Sequence, residues 1–256
     1  MRIMHPGLLL TLVFLHGCAS FRSTEGPMKS VEDKLQCRIQ PKTLIVFLPG
    51  AYDTPQDLIK QGFVSAVRER KIHADIQLVD AHTGYYTSQQ ILNRLETEVI
   101  EPAKASGYER IWFAGISLGG YGSMLYAMKH PTALDGFFVM APYMGARDIP
   151  SQIQRQGGLK SWSSTIQGST DIDLWRWLKG YGDGQQSKRP EAWLGYGATD
   201  RFAPANGLMA TVLPTSHSFV IPGGHDWSTW QQLWAKFLDA SPLPRIATDA
   251  AGCAGN

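Results

Sequence analysis

The stretch FAGISLGGYGS, residues 113–123, joins an apolar run to a run of helix-forming residues and decides the fold. Within it, residues 115–119 fit the pattern Gly-x-Ser-x-Gly. On a sharp turn between a strand and a helix, this pattern exposes the serine Oγ at the edge of a sheet. Side chains at Gly115 and Gly119 would collide with their surroundings, so glycine is needed at both positions. We therefore expect a strand, a strained turn at Ser117 and a helix over 117–130.

Short apolar runs and helical patterns alternate along the rest of the chain. Several apolar runs are continuous, as in strands buried on both faces. The expected strands are 44–48, 76–79, 111–116, 136–141, 192–196 and 218–221. The expected helices are 55 to about 70, a run around 91–99, 117–130, 172–180 and 226–238. This alternation predicts an α/β fold, with helices on both faces of a mostly parallel central sheet.

Composition limits the classes of function. The chain has 256 residues, a net charge of +2 and 43% hydrophobic residues, which suits one large α/β domain. No block of like charge occurs, so the sequence does not indicate nucleic-acid binding. Neither a phosphate-cradling loop nor a dinucleotide motif nor zinc-type Cys/His spacing is present, so we expect no cofactor and no metal.

The N-terminus has the pattern of an export signal. Arg2 precedes an apolar run of about eight residues, which suits a signal peptide over residues 1–17 and is too short to span a bilayer. The sequence Leu-His-Gly-Cys, ending at Cys18, resembles the bacterial lipobox, although His16 departs from its usual residue. That resemblance implies a lipid on Cys18 and a membrane anchor facing the periplasm or cell exterior. Ordinary cleavage near Ala19, giving a soluble exported protein, is the alternative.

Four further segments follow from composition. Residues 18–40 are polar at first, with Gly26 and Pro27, and suggest a tether. The main domain covers 41–240, and its polar, Trp-containing segment 147–189 suggests a lid insertion. A tail follows at 241–256. In an oxidising compartment Cys37 and Cys253 either pair or remain two free thiols.

A nucleophilic serine needs a base, and the base needs an acid to orient it. His225 lies in a Gly-rich loop just after the last predicted strand, at the sheet edge expected for Ser117. Asp200 follows the preceding strand in a Gly/Ala/Thr turn. Asp148, after the strand at 136–141, is the alternative acid. The order Ser117, Asp200, His225 is the order found in α/β-hydrolases.

On these residues the chain resembles the α/β-hydrolase family over about residues 44–238. The stretches GISLGGYGS and GGHDWSTW are similar to the esterase D, feruloyl-esterase and antigen-85-like branch. The resemblance implies a serine carboxylesterase with an acyl-enzyme intermediate. In such an enzyme two backbone N–H groups form the oxyanion hole. We expect the N–H of Leu118 and that of Ala51, with Tyr52 as the second choice.

The sequence says less about the substrate. Aromatic residues that are candidates for a pocket are Tyr52, Trp162, Trp175 and Trp227. The expected partner is a small-molecule ester. A thioesterase, lipase, acyltransferase or peptidase would use the same residues, and a non-catalytic binding lipoprotein on the same scaffold is a further alternative. The oligomeric state stays open.

Overall fold

A computed structural model describes residues 22–183, 189–246 and 253. The expected signal peptide at 1–17 and the expected lipidation site Cys18 lie outside the described residues. Within the described residues, no helix is long and apolar enough to cross a membrane.

The centre of the fold is a seven-stranded sheet with the order β1-β3-β2-β4-β5-β6-β7. Six strands are parallel, and β1 pairs with β3 in the antiparallel sense. All residues of β2 and β5 are buried, which explains their continuous apolar sequences. The strands are β1 (Ser30–Asp33), β2 (Thr43–Leu48), β3 (Asp75–Val79), β4 (Arg110–Ile116), β5 (Gly136–Met140), β6 (Glu191–Gly197) and β7 (Ser218–Ile221).

Helices cover both faces of the sheet, as the alternation predicts. They are α1 (Pro55–Lys60), α2 (Phe63–Glu69), α3 (Thr83–Thr87), α4 (Ile91–Leu95), α5 (Glu101–Ala105), α6 (Leu118–Lys129), α7 (Asp148–Arg155), α8 (Thr170–Lys179), α9 (Ala203–Ala210) and α10 (Trp227–Ala240). Phe113 of β4 packs on Tyr126 of α6, on one face. Phe138 of β5 stacks on Phe237 of α10, on the other, with ring centroids 4.5 Å apart.

The expected tether is wrong for its second half. Residues 30–33 form β1, whose backbone pairs with all of β3 except Asp75. Upstream of it, the Arg22 guanidinium forms an ion pair with Asp80, and the Met28 N–H bonds to the Glu98 carboxylate. The chain is therefore attached to the domain from Arg22 onward.

Several helices differ in extent from their sequence patterns. The helix expected from 55 to about 70 is interrupted at Gly62, which adopts a φ of +81° and separates α1 from α2. The pattern at 91–99 continues through a π-helical segment, Glu96–Ile100, into α5. The expected helix at 172–180 is α8, which begins two residues earlier at a Ser169 cap.

The expected lid, 147–189, contains a second helix, α7, that the sequence analysis missed. Its described part contributes to the main core through Ile149, Ile153 and Leu159, which are 3%, 0% and 0% exposed. The side chain of Asp171, in the first turn of α8, accepts from the Tyr121 hydroxyl and from the Ala146 N–H. The described part of the insertion is thus packed onto α6 and onto the loop after β5.

Cys37 and Cys253 form a disulfide across 216 positions of sequence. It joins the segment before β2 to the C-terminal tail. The tail is also held by hydrogen bonds from the His73 N–H to the Pro244 carbonyl and from the Ile246 N–H to the Lys71 carbonyl. Both ends of the described chain are therefore fixed to the domain.

Candidate active site

Ser117 occupies the sharp turn between β4 and α6. Its φ of 51° and ψ of −111° lie in a region that non-glycine residues rarely adopt. The surrounding backbone holds this conformation, since the Ser117 N–H donates to the Met140 carbonyl and the Ser117 carbonyl accepts from the Tyr143 N–H, both at 3.0 Å. The turn thus has the geometry that Gly-x-Ser-x-Gly predicts.

The glycines on either side of Ser117 permit close backbone contacts. A Cβ on Gly115 would lie 2.5 Å from the Gly119 carbonyl oxygen, and one on Gly119 would lie 2.5 Å from that of Pro49. Real Cβ atoms essentially never come within 3.0 Å of another group. Gly119 therefore lets the first turn of α6 contact the backbone of the loop after β2. A Cβ on Gly122 would meet the Tyr86 ring of α3.

Ser117, His225 and Asp200 form a continuous chain of hydrogen bonds. His225 Nε2 lies 3.0 Å from Ser117 Oγ, and His225 Nδ1 lies 2.8 Å from Asp200 Oδ2. Asp200 is 4% exposed, and its Oδ1 accepts from the Phe202 N–H at 2.7 Å. The alternative acid, Asp148, is exposed in the first turn of α7, where its carboxylate accepts from Gln152.

The loops that carry Asp200 and His225 are bonded to each other. The backbone N–H and the hydroxyl of Thr199 both donate to the Gly223 carbonyl, at 3.0 and 2.7 Å. Asp226 caps α10 by accepting from the Thr229 N–H at 3.0 Å. These hydrogen bonds lower the pKa of the Asp226 carboxyl. The cap fixes the end of the His225 loop and turns the Asp226 side chain to its own helix.

Two aromatic rings that the sequence analysis did not assign to the site enclose the imidazole. Phe202 and Trp230 contact His225 edge-to-face, with ring centroids 5.1 and 5.0 Å away. Both rings limit rotation of the imidazole and shield it from water. Their positions in the sequence could have predicted this contact, because Phe202 follows Asp200 by two residues and Trp230 lies in the first turns of the helix after His225.

The loop after β2 lies beside the nucleophile. Leu118 is the first residue of α6, so its N–H has no acceptor within the helix. Residues 50–53 form a turn, in which the Asp53 N–H donates to the Gly50 carbonyl and the Ala51 carbonyl accepts from the Thr83 hydroxyl at 2.9 Å. Burial is the main cause that raises the pKa of the Asp53 carboxyl, a residue the sequence analysis did not select.

Comparisons of sequence and of structure give different results. No protein-family model and no curated protein matches the sequence. An S-formylglutathione hydrolase from Staphylococcus aureus has a TM-score of 0.55 at 14% identity, over 78% of this chain and 80% of the other. A ferulic acid esterase has 0.53 at 18%, over 83% and 96%. A monoacylglycerol lipase from Paleococcus ferrophilus has 0.53 at 11%, over 84% and 100%.

These structures and the sheet order of this chain agree in architecture. The chain has the α/β-hydrolase fold. At these identities the likeness concerns the fold alone. Within an α/β-hydrolase fold, ligands bind at the carboxyl edge of the sheet where the strand order reverses. That point lies between β2 and β4, where residues 50–53 and Ser117 meet.

The expected aromatic pocket is wrong for two of its four members. Trp162 and Trp175 are 1% and 0% exposed and belong to the hydrophobic core, and Trp175 Nε1 donates to the Met144 carbonyl. Tyr52 is 94% exposed and so provides no buried wall. Trp227 packs on Phe63, 5.9 Å between ring centroids. Whether these aromatic side chains are buried depends on contacts with residues distant in sequence, which the local sequence pattern does not reveal.

One group of three potential metal ligands occurs among the described residues. It consists of Cys37, His73 and Cys253, whose ligand atoms lie within 4.8 Å of one another. The two cysteines are joined in the disulfide, and only a thiolate is an effective ligand. The group lies where the tail meets the segment before β2.

Proposed function

We propose that this protein is a serine hydrolase that cleaves carboxylic esters through an acyl-enzyme. The observation that carries the proposal is the hydrogen-bonded chain Ser117–His225–Asp200, at 3.0 and 2.8 Å, on a serine held in a strained turn. This arrangement activates a hydroxyl as a nucleophile on folds of unrelated origin. The structural likeness to esterases and a lipase supports the same reaction class.

The reaction follows from the positions of these groups. Ser117 Oγ attacks the ester carbonyl carbon while His225 Nε2 accepts its proton, and the carbonyl oxygen becomes an oxyanion. The N–H groups of Leu118 and Ala51, with Tyr52 as the second choice, stabilise that charge. The C–O bond to the alcohol then breaks, and the alcohol leaves with the proton from Nε2. Asp200 holds the ring and stabilises its charged form.

Water completes the cycle. His225 Nε2 takes a proton from a water molecule, whose oxygen attacks the acyl carbon. The bond to Ser117 Oγ breaks, Oγ recovers its proton from Nε2, and the carboxylic acid is released. No cofactor takes part in these steps.

A fluorophosphonate probe with 4-nitrophenyl esters tests the proposal. Wild-type protein should be labelled and should release 4-nitrophenolate, whereas Ser117→Ala should do neither. Ser123→Ala is the matched control, because Ser123 lies on α6 and its hydroxyl, among the described residues, bonds only to the Gly119 carbonyl. Equal labelling of wild type and Ser117→Ala would remove the assignment. Hydrolysis of aminoacyl anilides without hydrolysis of esters would indicate a peptidase.

We further propose that the protein is exported and anchored by a lipid on Cys18. The apolar run before Cys18 supports export. The disulfide between Cys37 and Cys253 also supports it, since disulfides persist in oxidising compartments. Palmitate labelling and membrane fractionation test the anchor. Label and membrane association should both be lost in Cys18→Ser, and their persistence would contradict the assignment.

A further inference from the structure

A cavity of about 370 Å³ opens beside the site at the carboxyl edge of the sheet. It lies between α7 and the start of α9. Tyr143 and Met144, just after β5, form one wall, and Phe202 and Pro204 form another. A third wall is formed by one face of α7 and the residue before it, at positions 147, 150, 151 and 154. The proposed reaction assigns no role to this space.

The cavity lies next to the catalytic groups, although neither Ser117 nor His225 lines it. Phe202 separates it from His225, with ring centroids 5.1 Å apart, and Tyr143 packs on Phe202 at 5.8 Å. The Tyr143 N–H donates to the carbonyl of Ser117. A group bound in the cavity is therefore one aromatic ring away from the imidazole that protonates the leaving group.

Two exposed arginines, Arg147 and Arg201, lie at the cavity. Neither Arg147 nor Arg201 has an ion pair or a side-chain hydrogen bond with any of the described residues. No acidic residue is found among the described residues that line the cavity. Five other arginines, Arg22, Arg68, Arg70, Arg94 and Arg176, pair with carboxylates, whereas Arg38, Arg110 and Arg155 also have no ion pair among the described residues. What distinguishes Arg147 and Arg201 is therefore their place at the cavity.

Arg201 lies near the catalytic residues, on the other side of a contact with Phe202. Its guanidinium carbon lies 4.9 Å from the centroid of the Phe202 ring. Because that ring is 5.1 Å from the imidazole, the guanidinium carbon lies at most about 10 Å from the His225 centroid. Stacking on Phe202 restricts the long arginine side chain and leaves its N–H groups available to a ligand. The distance suits a substrate of a few carbon atoms between its ester and a second polar group.

We propose that this cavity binds the acidic end of an ester substrate, with an apolar body against Phe202 and Tyr143 and a carboxylate at Arg147 and Arg201. Arginine is the side chain that best matches the planar carboxylate. The apolar walls favour a hydrocarbon or aryl segment between the carboxylate and the ester. This inference rests on the proposed esterase function and specifies the substrate class as acid-bearing esters.

Two pairs of esters test the inference, and within each pair one ester carries a carboxylate where the other carries a methyl group. The first pair is 4-nitrophenyl hexanoate and mono-4-nitrophenyl adipate, with the charge in the acyl half. The second is 4-methylphenyl acetate and 4-carboxyphenyl acetate, with the charge in the alcohol half. For each pair the measurement is the ratio of kcat/KM for the acidic ester to that for the neutral one. Wild type should favour the acidic ester in at least one pair.

The variants are Arg147→Gln, Arg201→Gln and the double variant, with Arg155→Gln as the control. Arg155 is an exposed arginine at the end of α7 that does not line the cavity. Both arginines are exposed, and loss of a charged hydrogen bond at an exposed position should lower the ratio about fivefold for one arginine and at least tenfold for both, through KM. Lysine in place of Arg147 or Arg201 should keep part of this kcat/KM ratio, and Arg155→Gln should leave the ratio unchanged.

The outcomes separate the two proposals. If Ser117 is labelled and neutral esters are cleaved, but the double variant keeps both ratios within twofold of wild type, the cavity assignment is overturned and the esterase proposal stands. A wild type that prefers neither acidic ester would likewise overturn the cavity assignment and leave the esterase proposal standing. If Ser117 is not labelled and no ester is cleaved, the esterase proposal itself fails, and the cavity assignment fails with it.

Discussion

Replacing Gly119 by alanine should separate Ser117 from the loop that carries Ala51, the proposed second donor of the oxyanion hole. The new Cβ would lie 2.5 Å from the Leu48 carbonyl carbon and from the Pro49 oxygen, and still closer to the Leu48 oxygen. These are backbone atoms, so a change of rotamer does not relieve the clash. The loop after β2 must instead move away from α6 by about 1 Å to reach ordinary contact distances.

The size of this movement determines the expected losses. A displacement of about 1 Å in a catalytic group costs about 100-fold in rate, and we expect kcat/KM for a 4-nitrophenyl ester to fall by about that factor. Overpacking costs about 1–3 kcal/mol, partly offset by the better helix propensity of alanine. For a chain of this size the melting temperature should drop by about 2–8 °C. Steady-state kinetics and thermal unfolding followed by circular dichroism measure both effects.

Gly207→Ala is the matched control. Gly207 lies inside α9, where an added Cβ would meet only the Tyr196 hydroxyl, at an ordinary 3.5 Å. This substitution should stabilise the protein by about 0.5–1 kcal/mol, with kcat/KM within twofold of wild type. If Gly119→Ala retained wild-type kcat/KM while folding normally, the contact between α6 and the loop after β2 would not be needed for the site.

Three further substitutions test separate parts of the structure. Asp200→Asn should lower kcat/KM by about 10³–10⁴-fold with little change in melting temperature, because the amide cannot stabilise charged His225. Asp226→Ala should lower the free energy of unfolding by about 1 kcal/mol at pH 7, measured in urea, through loss of the α10 cap. Replacing both Cys37 and Cys253 by serine should lower it by about 2–5 kcal/mol in guanidinium chloride, because their bond closes a long loop.

Each of these expectations has a clear contrary result. Wild-type rates in Asp200→Asn would show that another acid orients the imidazole. For Asp226, whose pKa is lowered in the fold from an ordinary 3.8, the stabilisation is present above pH 3.8 and is lost as the pH falls through the folded value. If the difference in free energy of unfolding between wild type and Asp226→Ala grew toward low pH, this expectation would be refuted. Reductant should destabilise the wild type to the level of the double serine variant, and equal stability of all forms would argue against the disulfide.

The positions of Ser117, Asp200 and His225 follow from the sequence because each lies at the end of an apolar strand. In a parallel sheet these ends meet at one edge, so local patterns suffice to bring the residues together. The glycines at 115 and 119 add the steric requirement of the turn. The structure brings all three side chains within hydrogen-bonding distance, as the sequence analysis expects.

Features that depend on distant partners were not predictable in this way. Ser30–Asp33 is polar and becomes a strand only because β3 offers it an unpaired edge. Trp162 and Trp175 are candidates for a substrate pocket in sequence, yet they are buried in the core because the insertion packs on it. Phe202 is important because of its orientation against His225, which depends on how the loops after β6 and β7 are joined.

The attachment of Arg22 determines how close the domain lies to any lipid on Cys18. The Arg22 guanidinium bonds to Asp80 and to the Asp53 carbonyl, at the carboxyl edge of the sheet and next to the loop after β2. Four residue steps separate Cys18 from Arg22 and span at most about 14 Å. An acylated Cys18 would therefore hold the mouth of the site against the headgroup layer, and esters that partition into the membrane would reach Ser117 after a very short path.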